Sequence, residues 1–483
     1  SVDGPSRPPD HRQTRQVLLR SQEVHGSSRD PSSGKWLPDY RGEVARHGRM
    51  MRWVVVASLV APFGWSRASA DDSVQAAADV PVITISKSIS LTPSESNTIV
   101  AAATTAGAKG YPARYATFPM TAYSRGGTML MQQPKGWRIP MGTRILPVDF
   151  VRATGGDAMA DALVSGQVLM GANSARIRDA QVGDVVTLRD STNAVRKFTV
   201  GMIVSNDYAA GEDLIMSMED GFSMGVRKIS RVNIIGFSKP TDVYTALRKK
   251  GITLGKEFRL RTTWDLPNPD GTLGIATVKL TLGEFAFQPT NSSAIRVDPK
   301  WGNKHIVWKH TFSAVPLRNN CHEQVIEAVE GALAEVVAKG LKSSIDVGIT
   351  NRYGGCFVGR YNRLAGLFGA PSRHAFGMAI DMNTTTNQQW ATPHMNCDVV
   401  RIFRKWGFAW GGNFWPSDGM HFEWVGERRD QWGYPSRYCP NKVPVPATTV
   451  PSATTSITTT TTTTTPAMST TTTTTTVPMT STT

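Results

Sequence analysis

Two short segments near the C-terminal end concentrate side chains that bind metal ions. The first, residues 372–381, contains His374 and Asp381, and the second, residues 418–423, contains His421. A catalytic zinc ion needs about three protein ligands and an open position for water, and imidazole nitrogens with one carboxylate are a common ligand set. His374, Asp381 and His421 can supply that set.

Hydrolysis at such a site also needs a carboxylate that takes a proton from water and passes it to the leaving amine. Asp418 and Glu423 are both candidates by residue type. The spacing by itself is a weak signal, because a His followed by an Asp at this distance is usually a structural pair.

The two segments read S-x-H-x-x-G-x-A-x-D and D-x-x-H-F-E, with Trp-Gly-Phe and Trp-Gly-Gly between them. Over about residues 318–440 this pattern resembles the VanY-type D-alanyl-D-alanine carboxypeptidases and the related L-alanyl-D-glutamate endopeptidases. The resemblance implies an α+β zinc peptidase domain with a Hedgehog/DD-peptidase-like fold. It also implies that His374, Asp381 and His421 bind Zn²⁺ and that Asp418 is the acid/base residue.

The resemblance further implies an Arg upstream of the first ligand that holds the substrate carboxylate. Arg352 and Arg360 are the candidates, and we expect Arg352, although a solvated loop position explains either residue equally well. Ser372 belongs to the motif and is expected to support the substrate or the first ligand; alternatively, it caps a turn. Glu423 is expected to orient a ligating His, or to be an ordinary strand residue.

Four cysteines all lie in the same C-terminal stretch. Their closest spacing is far wider than the C-x-x-C pairs of cysteine-rich zinc sites, so we predict two disulfides, with all three connectivities open. The four residues are Cys321, Cys356, Cys397 and Cys439.

A formal net charge of +15 predicts attraction to polyanions. The basic residues are scattered and no nucleic-acid-binding module accompanies them, so no nucleic-acid partner is expected and an anionic cell envelope explains the charge equally well. Residues 50–70 resemble a secretory signal peptide, too short for a stable membrane span, and residues 1–49 are interpreted as a non-native upstream extension. We therefore expect a secreted protein, extracellular or associated with the cell wall.

The remaining chain divides by composition. Residues 140–240 carry short apolar runs between Gly, Asn and Asp, which predicts a small all-β domain of unknown role with a hairpin about residues 190–193. The full division is a linker at 71–139, this domain, a connecting β-rich region at 241–310, the zinc D,D-carboxypeptidase-like domain at 311–440 and a disordered Thr/Pro-rich tail at 441–483.

Helices and strands must position the motif residues. Apolar periodicity predicts helices at 322–339, capped by Asn319 or Asn320, and at 398–406. Strands are predicted at 277–282, 345–349, 377–382 and 420–425. Outside the motifs, His322 and His394 are expected to be structural or surface residues, and Trp406, Trp410 and Trp415 core residues rather than cleft residues.

The leading hypothesis is a secreted zinc metallopeptidase that hydrolyses peptidoglycan stem peptides as a D-alanyl-D-alanine carboxypeptidase. An L-alanyl-D-glutamate type endopeptidase is the alternative within the same chemistry. A non-catalytic cell-surface binding protein is the alternative outside it, and the presence of Asp418 argues against that reading.

Overall fold

The computed structural model describes residues 80–291, 293–349, 352–363 and 369–444. The predicted signal peptide, the upstream extension and nearly all of the Thr/Pro-rich tail lie outside this part of the chain. Within the described residues, no helix has the length and apolar character needed to cross a membrane.

Residues 83–262 form the first folded region, called the barrel region here. Its ten strands are β1 (Ile83–Leu91), β2 (Lys109–Arg125), β3 (Thr128–Gln132), β4 (Ile139–Leu146), β5 (Val168–Gly171), β6 (Val185–Arg189), β7 (Val195–Val204), β8 (Leu214–Ser217), β9 (Ile229–Ile235) and β10 (Arg259–Thr262). Its helices are α1 (Pro93–Thr105), α2 (Val148–Gly155), α3 (Asp157–Val164), α4 (Ala172–Arg178), α5 (Asn206–Ala209), α6 (Met218–Ser223) and α7 (Pro240–Lys249).

The strands pair in the order β10-β1-β9-β2-β4-β8-β5-β7-β6, and β6 pairs back onto β2. Six strands therefore close into a ring around buried side chains such as Phe118, Met141 and Val186. The predicted hairpin is confirmed, because β6 and β7 pair antiparallel from Val185↔Thr199 to Arg189↔Val195.

The predicted linker at 71–139 is wrong from Ile83 onward, because β1, α1, β2 and β3 occupy that stretch. Alanine is the best helix former, and Ala102 and Ala103 of α1 are small enough to be fully buried. The side chain of Thr92 caps the helix by accepting the N–H of Glu95, and Glu95 bonds back. A composition rich in Ala, Ser and Thr thus encodes a packed helix here.

The all-β prediction for residues 140–240 is also wrong, since helices α2 to α6 lie between its strands. These helices have four to eight residues, too few for a clear apolar period. Serine caps at Ser205 and Ser217 are the sequence signals that mark two of their starts.

The connecting region at 241–310 is shared between the two folded regions. Strand β10 adds to β1 at the edge of the barrel-region sheet. From Ile275 onward the side chains instead join the core of the C-terminal domain. The predicted strand at 277–282 is wrong: this stretch is helix α8 (Ile275–Leu282), with Val278 and Leu282 buried four residues apart.

The C-terminal domain is α+β. Its helices after α8 are α9 (Pro299–His305), α10 (Glu323–Ala338) and α11 (Cys397–Lys405), and its strands are β11 (Phe287–Pro289), β12 (Ile295–Val297), β13 (Ile306–Thr311), β14 (Arg318–His322), β15 (Tyr353–Gly354), β16 (Ala379–Met382), β17 (Phe408–Trp410) and β18 (His421–Trp424). Four of these strands form an antiparallel sheet in the order β15-β16-β18-β17.

Most of the predicted elements of this domain are confirmed. Helix α10 begins at the predicted place, but the ring of His322 caps it rather than Asn319 or Asn320. The strand predicted at 345–349 is wrong, because a 3-10 helix at Lys342–Ser344 precedes a turn there. The fold also continues past the predicted boundary at 440, since the buried Asn441 donates to the carbonyl of Arg429.

The cysteines form two pairs, Cys321–Cys356 and Cys397–Cys439, which confirms the prediction that all four are oxidised. The first pair ties β14 to the loop after β15, and the second ties the start of α11 to the end of the described domain.

Buried charges also join the segments. Arg404 of α11 and Asp270 are both fully buried and paired at 2.6 Å. Lys279 of α8 lies 2.7 Å from Asp213 of the barrel region and 2.9 Å from Glu284. The Lys279–Asp213 pair links the two folded regions, and leaving either of these buried charges unpaired would be costly.

Candidate metal centre

Neighbouring strands and one helical turn bring the motif residues together. Asp381 on β16 lies directly across from His421 on β18. His374 comes from the 3-10 helix Arg373–Phe376, which Gly377 ends with a left-handed backbone before β16 begins. His374, Asp381 and His421 form a buried group whose donor atoms all lie within 4.8 Å of one another, so it could hold a metal ion.

One ring nitrogen of His374 is held and the other is open. Nδ1 lies 2.8 Å from the carbonyl oxygen of Gly355, so Nδ1 carries the proton and donates it. Nε2 is then a lone-pair donor, 3.3 Å from Asp381 Oδ1. It is buried without a hydrogen-bond partner among the described residues. A backbone carbonyl behind a ligating imidazole is the usual arrangement at metal sites.

His421 is oriented in the same way by a carboxylate. Its Nδ1 faces the other two members of the cluster and lies 3.0 Å from Asp381 Oδ1. Its Nε2 lies 3.4 Å from Glu423 Oε2. Burial opposes a charge on this imidazole, but the two carboxylates more than offset it and raise the pKa of His421 to about 10. The site is therefore rich in negative charge and suits a cation.

Asp381 is the shared anion of the group. Burial alone would raise the pKa of this carboxyl, but the imidazoles of His374 and His421 more than offset it and hold the pKa well below its usual value. Gly354 lies opposite on β15, where an added Cβ would come within 3.1 Å of Asp381. Glycine at that position leaves room for the carboxylate.

Asp418 lies beside the cluster without being one of its three members. Its Oδ2 accepts a hydrogen bond from the side chain of Gln389 at 3.2 Å, whereas its Oδ1 is buried and has no partner among the described residues. Burial raises the pKa of Asp418, and the nearby charge of Asp381 adds to that shift. A carboxylate with one free oxygen and a raised pKa is suited to accepting a proton.

Glu423 supports His421 and is itself held by Arg373, whose Nε lies 3.7 Å from Glu423 Oε1. Burial opposes ionisation, but the hydrogen bond from His421 and the charge of Arg373 hold the pKa of Glu423 below its usual value. Arg373 also bonds the carbonyl oxygen of Leu273. The sequence analysis did not identify Arg373 or Gln389 as part of the site. The position of Arg373 between Ser372 and His374 was an available signal for that residue. No sequence signal marked Gln389.

The two candidate arginines differ in position. Arg352 is half exposed and lies 3.5 Å from Asp346. Arg360 is partly buried, which lowers the pKa of its guanidinium, while the charges of Asp381 and Asp418 oppose that shift. The charges of Asp381 and Asp418 thus act on Arg360, while Arg352 precedes β15, whose Gly354 lies across from Asp381, so both arginines remain candidates.

The other predicted residues take structural positions. Ser372 caps the 3-10 helix through the N–H of His374. Trp410 is buried and donates to the carbonyl of Gly419, and Trp406 packs against the core, but Trp415 lines a cavity. His394 is exposed.

A second group, His305, His322 and Glu323, also has donor atoms close together. Its central imidazole is already committed, because His322 Nδ1 accepts the N–H of Gln324 and Nε2 donates to the carbonyl of Leu282. His322 therefore has a structural role, as expected, although the cap itself was predicted at Asn319 or Asn320, and it leaves no lone pair for a metal.

Comparison with known proteins gives one functional match. Residues 369–424 match a family model described as D-alanyl-D-alanine carboxypeptidase. This segment contains the His/Asp/His group, Asp418 and Glu423.

The other comparisons carry no functional argument. No curated protein matches. A solved structure, the extracellular domain of the noncanonic ABC-type transporter YknZ from Gram-positive bacteria, matches with 10% identity and a TM-score of 0.25, covering 37% of this chain and 99% of that chain.

Proposed function

We propose that the C-terminal domain is a zinc-dependent peptidase that removes the terminal D-alanine from peptidoglycan stem peptides. The observation that carries this proposal is the buried His374, Asp381 and His421 group with the half-free carboxylate of Asp418 beside it, inside the segment that matches the carboxypeptidase family. The paired cysteines support an oxidising, extracellular location, where such peptides occur.

The donor set fits zinc. Two imidazole nitrogens and one carboxylate are the protein ligands of many catalytic zinc sites, and the unpartnered lone pair of His374 Nε2 is explained if a cation accepts it. Bound zinc would supply Lewis-acid polarisation of the scissile carbonyl and would make the attacking water more acidic. Gly355 and Glu423 hold the two rings so that their other nitrogens remain available.

Asp418 would move the proton. Its free Oδ1 accepts a proton from the attacking water as the water oxygen bonds to the scissile carbon. The same carboxyl then donates that proton to the nitrogen of the departing D-alanine as the C–N bond breaks. The bond from Gln389 to Oδ2 fixes the direction in which Oδ1 points.

Arg360 would select the substrate end. A guanidinium binds a carboxylate with two parallel hydrogen bonds, and only the last residue of a stem peptide has a free α-carboxylate. A carboxypeptidase needs this contact, whereas an endopeptidase of the L-alanyl-D-glutamate type does not.

The test is release of D-alanine by the purified protein, loaded with one equivalent of zinc, from a pentapeptide stem ending in D-Ala-D-Ala. We expect release from the free acid and none from the same peptide with a C-terminal amide, with Asp418→Asn as the matched inactive control. Equal cleavage of both peptides would support the endopeptidase instead, and cleavage of neither would refute the proposed peptidase.

A further inference from the structure

A cavity of about 550 Å³ lies between the barrel region and the C-terminal domain. Strand β10 and the residues before it form one wall, and segments 390–392, 412–417 and 434–438 form the other. Phe414 lines the cavity, and its ring centroid lies 6.0 Å from that of His421. The cavity therefore adjoins the metal centre without containing its ligands or Asp418.

The cavity wall carries an excess of positive charge. Its charged lining residues are Lys256, Arg259, Arg261 and Arg437, and no Asp or Glu is among the described lining residues. Arg259 and Arg261 are two apart on β10, so their side chains leave the same face of the strand. Arg261 lies 3.7 Å from Asp265. Arg259 has no ion pair within the described part of the chain, and the carboxylates of Asp265 and Asp270 act on both guanidiniums only at longer range apart from the Arg261–Asp265 contact.

The electrostatic environment of the two arginines also favours an anion in the cavity. Burial lowers the pKa of Arg261 to about 10, and the neighbouring charge of Arg259 adds to that shift. Two cations that destabilise each other in this way gain from a shared anion, because a guanidinium binds carboxylate or phosphate through paired hydrogen bonds.

Polar groups without partners lie in the same wall. Trp415 Nε1 and Ser436 Oγ are buried and have no hydrogen-bond partner among the described residues, and both residues line the cavity. Ser436 as a whole is only 9% exposed. Both atoms have almost no solvent-accessible surface, so a ligand in the cavity could reach them only after a side chain moves, and the anion-binding groups that line the cavity are the arginines.

Trp390 is the most exposed of the aromatic residues that line the cavity. Trp390 lines the cavity and is 54% exposed, whereas the ring of Tyr434 is covered by the guanidinium of Arg261 at 4.7 Å. A flat indole face beside anion-binding groups suits a sugar ring that carries an acidic substituent.

We propose that this cavity binds an acidic polysaccharide, with its carboxylate or phosphate groups on Arg259 and Arg261 and one sugar ring on Trp390. The paired cysteines support an oxidising, extracellular location, which favours an extracellular polyanion over nucleic acid. The proposal stands apart from the peptidase reaction, because none of the three residues belongs to the metal centre.

The test is calorimetric titration of the full chain at fixed ionic strength with three probes: an octamer of galacturonic acid, an uncharged maltooctaose and an eight-nucleotide dT strand. The galacturonate octamer should bind at least about tenfold more tightly than the other two, as expected for charge-assisted hydrogen bonds. The double variant Arg259→Gln/Arg261→Gln and the single variant Trp390→Ala should each weaken binding by about tenfold or more.

The matched control is Arg248→Gln/Lys249→Gln, which removes the same charge from the exposed end of α7 and should leave binding unchanged. Equal weakening by this control would overturn the proposal in favour of general charge attraction. Absence of galacturonate binding, unaltered binding by the β10 variant, or equal affinity for dT would each overturn it as well. Release of D-alanine from a free pentapeptide, measured on the same samples, separates these outcomes from failure of the peptidase proposal.

Discussion

Buried carboxylates have different hydrogen-bonding environments in the two folded regions. In the barrel region, Asp184 accepts hydrogen bonds from the hydroxyl of Tyr123 at 2.5 Å and from Arg125 at 2.8 Å. At the metal centre, one oxygen of Asp418 and one of Glu423 are buried without any hydrogen bond from the described residues. The first arrangement adds stability. At the metal centre the Glu423 oxygen faces the guanidinium of Arg373 at 3.7 Å, whereas the Asp418 oxygen remains an acceptor for a group outside the chain.

The metal ligands should show the largest effect. Replacing His374, Asp381 and His421 together by alanine removes every proposed ligand, so bound zinc should fall from one per chain to none and D-alanine release should fall to background. Elemental analysis and the release assay check this. His394→Ala is the matched control, because His394 is exposed outside the cluster. Full zinc retention by a folded triple variant would exclude these ligands.

The Asp418→Asn variant should show the second largest effect on activity. Asparagine keeps the size and the hydrogen bonding but cannot accept a proton, so turnover should fall by about 10² to 10⁴ with zinc retained. Stability should hold or rise, because a buried carboxylate with an unpartnered oxygen is lost. Glu423→Gln is the control and should cost less, since Glu423 only orients His421. A normal rate for Asp418→Asn would contradict its role.

Asp270→Leu should lower stability, unlike Asp418→Asn, because both oxygens of the Asp270 carboxylate accept hydrogen bonds. It bonds Arg404 twice and also accepts the N–H of Trp410 and the amide of Asn413. Removing it leaves Arg404 buried and unpaired, which should lower the free energy of unfolding by about 3–5 kcal/mol in denaturant titrations. Adding Arg404→Met to this variant should recover part of that loss. An Asp270→Leu variant as stable as the wild type would contradict the stabilising role of the partnered carboxylate.

Arg360→Gln should act on substrate binding alone. A charge-assisted hydrogen bond to a carboxylate contributes about 1.5–3 kcal/mol, so KM should rise about 10- to 100-fold with little change in kcat. Arg352→Gln, at the half-exposed position paired with Asp346, should leave KM nearly unchanged. The reverse result would restore the expectation from sequence.

Acid pH should have the smallest effect on stability, through the buried carboxylate of Asp184. The hydrogen bonds of Asp184 with Arg125 and Tyr123 lower its pKa to about 2, below the value of 3.8 in an unfolded chain. A depressed pKa means that Asp184 stabilises the fold fully above pH 3.8 and that this contribution disappears as the pH falls towards 2. The loss is about 2 kcal/mol. Unfolding free energies between pH 5 and 2 should fall less steeply in Asp184→Asn, and identical slopes would contradict this.

The sequence predicted the metal-binding group better than the barrel region for physical reasons. His374, Asp381 and His421 lie in two short segments whose residue types are dictated by ligand chemistry, and β16 and β18 then bring them together by ordinary strand pairing. The short helices of residues 140–240 have no comparable signal, since packing against the closed sheet overrides local pattern. Arg352 and Arg360 could not be ranked from the sequence, because only tertiary structure sets the charges and contacts around each guanidinium.

The disulfide between Cys397 and Cys439 has a mechanical consequence. The chain leaves the described domain just after Cys439, whose carbonyl oxygen also accepts a hydrogen bond from Arg404. Tension applied to the chain beyond Asn441 therefore passes through a covalent bond into the first turn of α11. The force loads the helix that packs beneath β17 and β18, and the terminal segment cannot peel away residue by residue. Reduction of this one bond would leave only hydrogen bonds and packing to resist the same pull.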